Sequence, residues 1–264
     1  MFPHDLADLI YGPLLALMRI SSLVMAVPFM GAGFAPAQLR IGLSVALTAI
    51  IVPLIGGAMP HLPASILVFA VEILREVVIG LSLGWLTGVI LLSLPVAGQI
   101  ISYQIGLSSV LLPNSTIGPN STLVANAMGL LLPALVFASG LFLLPVLAIV
   151  RSFRTLPLPA GIGDAHLPSA GVLLEFAVKA VSAEFVTALH VTALHLAAPF
   201  LFIGIVWQAG LGLMSKAAPN IQIFFIAAPL QLLGGTALLA FLASPMISVW
   251  HDATLPMLQA YASW

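Results

Sequence analysis

Between Glu76 and Arg151 the chain runs for 74 residues, 77 to 150, without an Asp, Glu, Lys or Arg. A helix crossing a bilayer needs about 20 apolar residues, so this one stretch holds more than one such helix. In hydrocarbon, backbone N–H and C=O groups must be satisfied within the protein, which leaves helices or a closed barrel. No barrel-type alternation is visible, so the sequence predicts an all-α fold of membrane-type helical hairpins. The other charge gaps agree: Arg19 to Arg40, Arg40 to Glu72, Glu184 to Lys216 and Lys216 to Asp252. Of 264 residues 61% are hydrophobic and 6% charged, against about 25% charged in a soluble domain. Fifteen charged side chains cannot cover a solvated surface of this size. A net charge of −1 leaves no basic surface for nucleic acid. With no cysteine, thiolate metal sites, haem attachment and redox pairs are excluded. Asp5 and Asp8 stand where a cleavable signal would carry Lys or Arg, so none is expected.

The apolar segments read as Tyr11–Met30, Leu39–Ile55, Val77–Leu94, Val96–Leu112, Leu123–Val150, Phe185–Met214 and Ile221–Trp250. Breakers separate them: Gly31-Ala32-Gly33 with Pro36, then Gly56-Gly57 with Pro60 and Pro63. Pro95-Val96-Ala97-Gly98 either kinks a long helix or turns a hairpin. The longest polar connection is Arg151–Ser169, with Pro157, Pro159, Gly161, Gly163 and Pro168. Arg151 and Arg154 are the one close basic pair, which places that connection on the cytoplasmic side. This orientation requires Val77–Leu112 to be a hairpin. Twenty prolines, some inside apolar runs at Pro133, Pro145, Pro199 and Pro229, predict broken, bent helices rather than a plain bundle.

Pro113-Asn114-Ser115-Thr116 recurs as Pro119-Asn120-Ser121-Thr122 with Ile117-Gly118 between, a polar, uncharged loop between two very apolar segments. Gly80, Gly84 and Gly88 recur every fourth residue and form one smooth helix stripe that another backbone can approach. Gly80-Leu81-Ser82-Leu83-Gly84 also fits the nucleophile-elbow pattern, but that motif needs a strand and a strained turn; here the surrounding pattern is helical and apolar. Glu72, Arg75 and Glu76 share a helix face by their i, i+3, i+4 spacing. Both a helix end at the membrane surface and a buried ionic contact fit them. Arg19 lies deep in its segment with no charged partner within a turn, which marks a functional or assembly role. His190 and His195 fall on different helix faces, unlike a metal pair at i, i+4. Glu175, Lys179 and Glu184 make Leu173–Leu196 amphipathic. No phosphate loop, dinucleotide fingerprint or carboxylate pair in a polar pocket is found, so no enzyme activity and no cofactor is expected.

Two longer blocks carry a resemblance. The first runs from Ala97-Gly98-Gln99-Ile100-Ile101-Ser102-Tyr103-Gln104 to Ile105-Gly106-Leu107-Ser108. The second runs from Gly210-Leu211-Gly212-Leu213-Met214-Ser215-Lys216 through Ala217-Ala218-Pro219-Asn220 to Phe224, with Pro229 after it. Arg19 and Pro28, Arg40-Ile41-Gly42-Leu43, Pro53, Glu76 to Gly84 and Phe153-Arg154-Thr155-Leu156-Pro157 stand in matching order. The chain resembles the FliR family, the flagellar branch of the type III secretion export gate, whose virulence counterpart is SctT. The Gly-Gln-x-x-x-x-Gln-x-Gly-Leu form leans to the flagellar branch. Two departures stand out. Gly118-Pro119-Asn120 lacks the family's frequent Asp-Pro, and Gly140-Leu141 lacks its frequent Gly-His. Any role of that Asp or His does not carry over.

The resemblance implies one export-gate domain over 1–264, a FliP-like part to about residue 170 and then a FliQ-like hairpin. It implies assembly with FliP-like and FliQ-like subunits, beside FlhA-like and FlhB-like components, in a bacterial inner-membrane basal body. Unfolded flagellar polypeptides pass through that channel. It implies a plug after the middle block, here Gly106, Leu107, Ser108, Pro113, Asn114, Ser115, Thr116, Gly118, Pro119 and Asn120. Packing and assembly fall to Arg19, Glu72, Arg75, Glu76, Gly80, Gly84, Gly88, Lys216 and Pro219. Two other classes compete. A small-solute secondary transporter should show an inverted repeat, and none is seen. An intramembrane hydrolase acting through Ser82 lacks a nearby base.

Overall fold

The computed structural model describes residues 2–30, 35–55, 60–63, 65–107, 111–114, 118–159, 183–217 and 223–262. The readings on Gly31–Gly33, Gly56-Gly57, Ser108, Ser115, Thr116, Gly161, Gly163, Pro168, Glu175, Lys179 and Pro219 lie outside these residues.

Among the described residues the fold is all-α and of membrane type, apart from one short hairpin. Helices α1 (Phe2–Ala26), α2 (Ala37–Ile55), α3 (Ile66–Leu91) and α4 (Ser93–Ile105) come first. Strands β1 (Leu111–Asn114) and β2 (Gly118–Thr122) follow, then α5 (Leu123–Ala138), α6 (Leu143–Thr155), α7 (Ala183–Ala217) and α8 (Ile223–Ala262). Among the described residues five helical stretches are long and apolar enough to cross a membrane: Leu9–Ala26, Ala37–Ile55, Ile66–Ile105, Val186–Ala217 and Ile226–Ala262. Counting α5 with α6 as one broken span makes six. Hydroxyls in these helices bond back to a carbonyl one turn earlier, as Ser44, Thr48, Ser82 and Thr87 do. This satisfies them without water.

Several boundaries differ from the sequence reading. Val77 is not a helix start; α3 begins at Ile66 and carries Glu72, Arg75 and Glu76 inside it. Charge in an apolar sequence suggests a helix boundary, but these side chains are buried inside the helix and do not mark an end. Pro95 neither turns a hairpin nor ends the helix. It lacks the N–H that would reach the Leu91 carbonyl, and the ladder resumes one residue on, with Val96 N–H donating to the Leu92 carbonyl at 3.1 Å. The stretch Ile66–Ile105 therefore runs on as one, and the orientation that required a hairpin at Val77–Leu112 loses its support. Leu123–Val150 is two helices, because Gly140 adopts φ 75° just past the end of α5. The final helix does not stop at Trp250 but continues through His251 and Asp252 to Ala262.

The chain forms two compact units. One comprises residues 1–90, 140–186 and 257–264; the other comprises 91–139 and 187–256. In the first, α1 packs along α2 and α2 touches α6. Tyr261 Oη donates to the Leu83 carbonyl at 2.8 Å, and Arg151 Nη1 donates to the Ala262 carbonyl at 2.7 Å. That second bond places a cation on an orphan carbonyl at a helix C-terminus. In the second unit α4 packs along α5, and Trp250 Nε1 donates to Ser93 Oγ at 3.1 Å.

Candidate functional site

Within the first unit the isolated Arg19 finds its counter-charge 57 residues away. Arg19 Nε donates to Glu76 Oε2 at 2.5 Å, with both side chains fully buried. Its other nitrogens are used too: Nη1 donates to Ser152 Oγ at 3.2 Å and Nη2 to the Leu156 carbonyl at 2.9 Å. The guanidinium also lies over the Phe153 ring, 4.2 Å from its centre. Three segments thus meet on one side chain: α1, α3 and the end of α6. The same α3 face continues the network. Tyr11 Oη donates to Glu72 Oε2, and Arg75 Nη2 donates to the Pro157 carbonyl at 2.9 Å. Two arginines and two glutamates balance in formal charge, which a desolvated site requires. The balance is imperfect in hydrogen bonds. Arg75 Nη1 stands 3.7 Å from Glu76 Oε1, and neither atom has a hydrogen-bond partner.

The glycine stripe lies beside this cluster, on the same helix. A methyl group at Gly80 would fall on the Arg19 carbonyl and on Ser22 Oγ. At Gly84 it would come within 2.5 Å of Ala26 Cβ and 2.8 Å of the Leu23 carbonyl, and at Gly88 within 3.5 Å of Pro28 Cδ. Gly80 and Gly84 therefore let α3 lie directly on the backbone of α1, whereas a methyl group at Gly88 would make only an ordinary contact with Pro28, beyond the end of that helix. Ser82 sits mid-helix with its hydroxyl donated to the Val78 carbonyl at 2.8 Å, not on a strand-to-helix turn. Lys216, in the last turn of α7, is exposed.

In the second unit the repeated Pro-Asn-Ser-Thr segment is not a plain loop. Its described residues lie in the two antiparallel strands of a hairpin, which pair Leu111 with Thr122, Leu112 with Ser121 and Asn114 with Gly118. The register slips between Leu112 and Asn114. Pro113 stands there, and a proline cannot donate to a ladder. Turn residues and repeat were legible, but two four- to five-residue strands are too short to show a period. The hairpin follows Gly106, which caps α4 at φ 84° while its N–H bonds the Ser102 carbonyl.

Two amide side chains that sequence reasoning passed over or quoted only within a motif, those of Gln99 and Gln231, hydrogen-bond between segments of this unit, and a third, that of Gln104, packs over a glycine. Gln99 Oε1 accepts from Thr122 N–H at 3.1 Å and Thr122 Oγ1 at 3.2 Å. Gln231 Nε2 donates to the Gln104 carbonyl at 2.8 Å, and Trp207 Nε1 donates to Gln231 Oε1 at 3.2 Å. Gln104 itself lies over Gly204, where any side chain would overlap it. A groove of about 440 Å³ opens beside these groups, lined by Ile105, Phe200, Ile203, Leu230 and Leu238. The signal was available: polar uncharged residues in runs that otherwise lack them.

The chain matches the family described as bacterial export proteins, family 1, over residues 10–257. It is 30% identical over 252 residues to the flagellar biosynthetic protein FliR of Caulobacter vibrioides, covering 96% of each chain. To the protein of that name in Escherichia coli it is 31% identical over 244 residues, 91% of this chain and 86% of the relative. For Bacillus subtilis the figures are 26% over 237 residues, 87% and 85%.

Proposed function

The chain belongs to the bacterial export proteins of family 1, as a member of the FliR family, and from that premise we propose that it is the channel-closing subunit of a flagellar protein export gate. It is a membrane-associated subunit of the flagellar export apparatus. The relatives' flagellar names favour this over the virulence system. In the finer reading it joins FliP-like and FliQ-like subunits in the inner membrane of the basal body, next to FlhA-like and FlhB-like components. Residues up to about 170 act as the FliP-like part and the remainder as the FliQ-like hairpin. Unfolded polypeptides pass through the assembly, and the segment from Gly106 to Asn120 closes it at rest.

The observation that supports this reading most directly is the uncharged hairpin between two very apolar helices. A barrier for passing chains of every sequence has to obstruct without binding. A Pro-Asn-Ser-Thr hairpin carries no charge and offers only neutral hydrogen bonds, which water replaces at little net cost. The broad exposure of large apolar side chains, including Leu54, Phe202, Leu213 and Phe241, fits a subunit covered by lipid and neighbours.

Deletion of Pro113–Asn120 tests the reading. Cells carrying the deletion leak ions and small molecules, while the protein still co-purifies in mild detergent with FliP-like and FliQ-like chains. An unchanged leak overturns the plug. Recovery only as a monomer or small homo-oligomer overturns the export-gate assembly and returns the transporter reading.

A further inference from the structure

We infer that Gln99 is a positioning residue that pins the return strand of the hairpin at Thr122, and that releasing this pin lets the plug open. The gating part of this inference rests on the plug reading above; the pinning does not.

Thr122 carries the first observation. It closes the hairpin opposite Leu111 and is also the residue before α5. A threonine in that position ordinarily turns its hydroxyl onto the first turn of its own helix. Here the backbone is suitably extended, φ −76° and ψ 163°, yet no such cap bond is made. Both its N–H and its hydroxyl go to Gln99 Oε1 instead. Thr122 is fully buried, so no water competes for these donors. The distance is set by the residue before Gln99. A methyl group on Gly98 would come within 2.9 Å of both Ala125 Cα and Met128 Sδ. Helices α4 and α5 are thus close enough for one glutamine to span.

The other leg of the hairpin is held differently. The last turn of α4 leaves orphan carbonyls, and Gln231 satisfies that of Gln104 while Trp207 orients the Gln231 amide. That fixes the helix up to its end. Gly106 then stands in the left-handed region, and a side chain there would meet nothing within 4 Å. The joint is a glycine cap whose own N–H and that of Leu107 both bond the Ser102 carbonyl, so the outgoing leg leaves from a fixed helix end beside a pinned return strand.

The experiment uses the full chain assembled with its partner subunits. Amide exchange over residues 118–122 reports the pin, and ion leakage reports the gate. Gln99→Leu removes the acceptor; Thr122→Val removes one of its two donors; Gln99→Glu keeps an acceptor for both. Gln99→Leu is expected to speed exchange and raise leakage by about tenfold, since two neutral hydrogen bonds are lost. Thr122→Val gives a smaller rise in both, and Gln99→Glu stays near the parent. Unchanged exchange in both Gln99→Leu and Thr122→Val overturns the pin, whatever the leakage. Faster exchange with no leak, while the Pro113–Asn120 deletion does leak, overturns the gating role of Gln99 and leaves the plug standing. No leak in either overturns the plug reading together with that gating role. If Gln99→Leu fails to assemble, Thr122→Val decides.

Discussion

The two units solve the same problem with different chemistry. Residues 1–90, 140–186 and 257–264 hold all but two of the fifteen charged side chains; residues 91–139 and 187–256 hold only Lys216 and Asp252. Both of those are exposed. In the first unit, polar contacts between distant segments centre on ions: Arg19 with Glu76, Arg75 with Pro157, Arg151 with Ala262. In the second they are neutral: Gln99 with Thr122, Gln231 with Gln104 and Trp207, Trp250 with Ser93. The difference concerns cost. A buried ion left without its partner is expensive, so an ionic cluster locks its segments into one arrangement. A neutral amide loses only a modest net contribution when its bond opens. The charged unit is therefore suited to a fixed frame, and the neutral one to a part that changes.

Four variants put that contrast at risk. Glu76→Ala leaves Arg19 buried without a counter-charge and is expected to destabilise by about 3–5 kcal/mol, measured as loss of detergent-purified, folded protein and a lower melting temperature. The double change Arg19→Met with Glu76→Met removes both charges and should recover most of that loss. A double variant as unstable as Glu76→Ala would show that the pair does more than neutralise itself. Next comes Gly84→Leu, which overfills the α1–α3 contact and costs about 1–3 kcal/mol by the same melting measurement, with reduced recovery of the assembled complex. A normal melt and complex would mean that α1 can move aside. Smallest is Gln231→Leu in the neutral unit, about 0.5–1.5 kcal/mol for each of two bonds, with the fold retained. Were it as damaging as Glu76→Ala, the distinction between a locked and a yielding unit would fail.

Much of this was legible in the residues. The helices follow from long charge-free runs, and the spacing of Gly80 and Gly84 marks a close helix contact, while Gly88 continues the spacing but not the close approach. The partner of that stripe was not legible, because nothing in a periodic pattern says which backbone it meets. Arg19 shows the limit most clearly. Its depth in an apolar segment announces that a counter-charge is needed, but Glu76 lies 57 positions away, and Ser152 and Leu156 lie further still. The i, i+3, i+4 cluster on α3 left a surface reading open until burial closed it. The hairpin hid for another reason: short strands of proline, asparagine, serine and threonine carry turn chemistry but no hydrophobic alternation.

What the sequence determined by itself is the solvent. With 6% charged residues the chain has to be covered by lipid or protein, and backbone hydrogen bonding in such surroundings requires helices. Which polar groups meet was decided only by tertiary structure. Ion pairing and amide bonding act over about 3 Å, and only folding brings the Arg19 guanidinium to the Leu156 carbonyl, or the Gln231 amide to the Gln104 carbonyl.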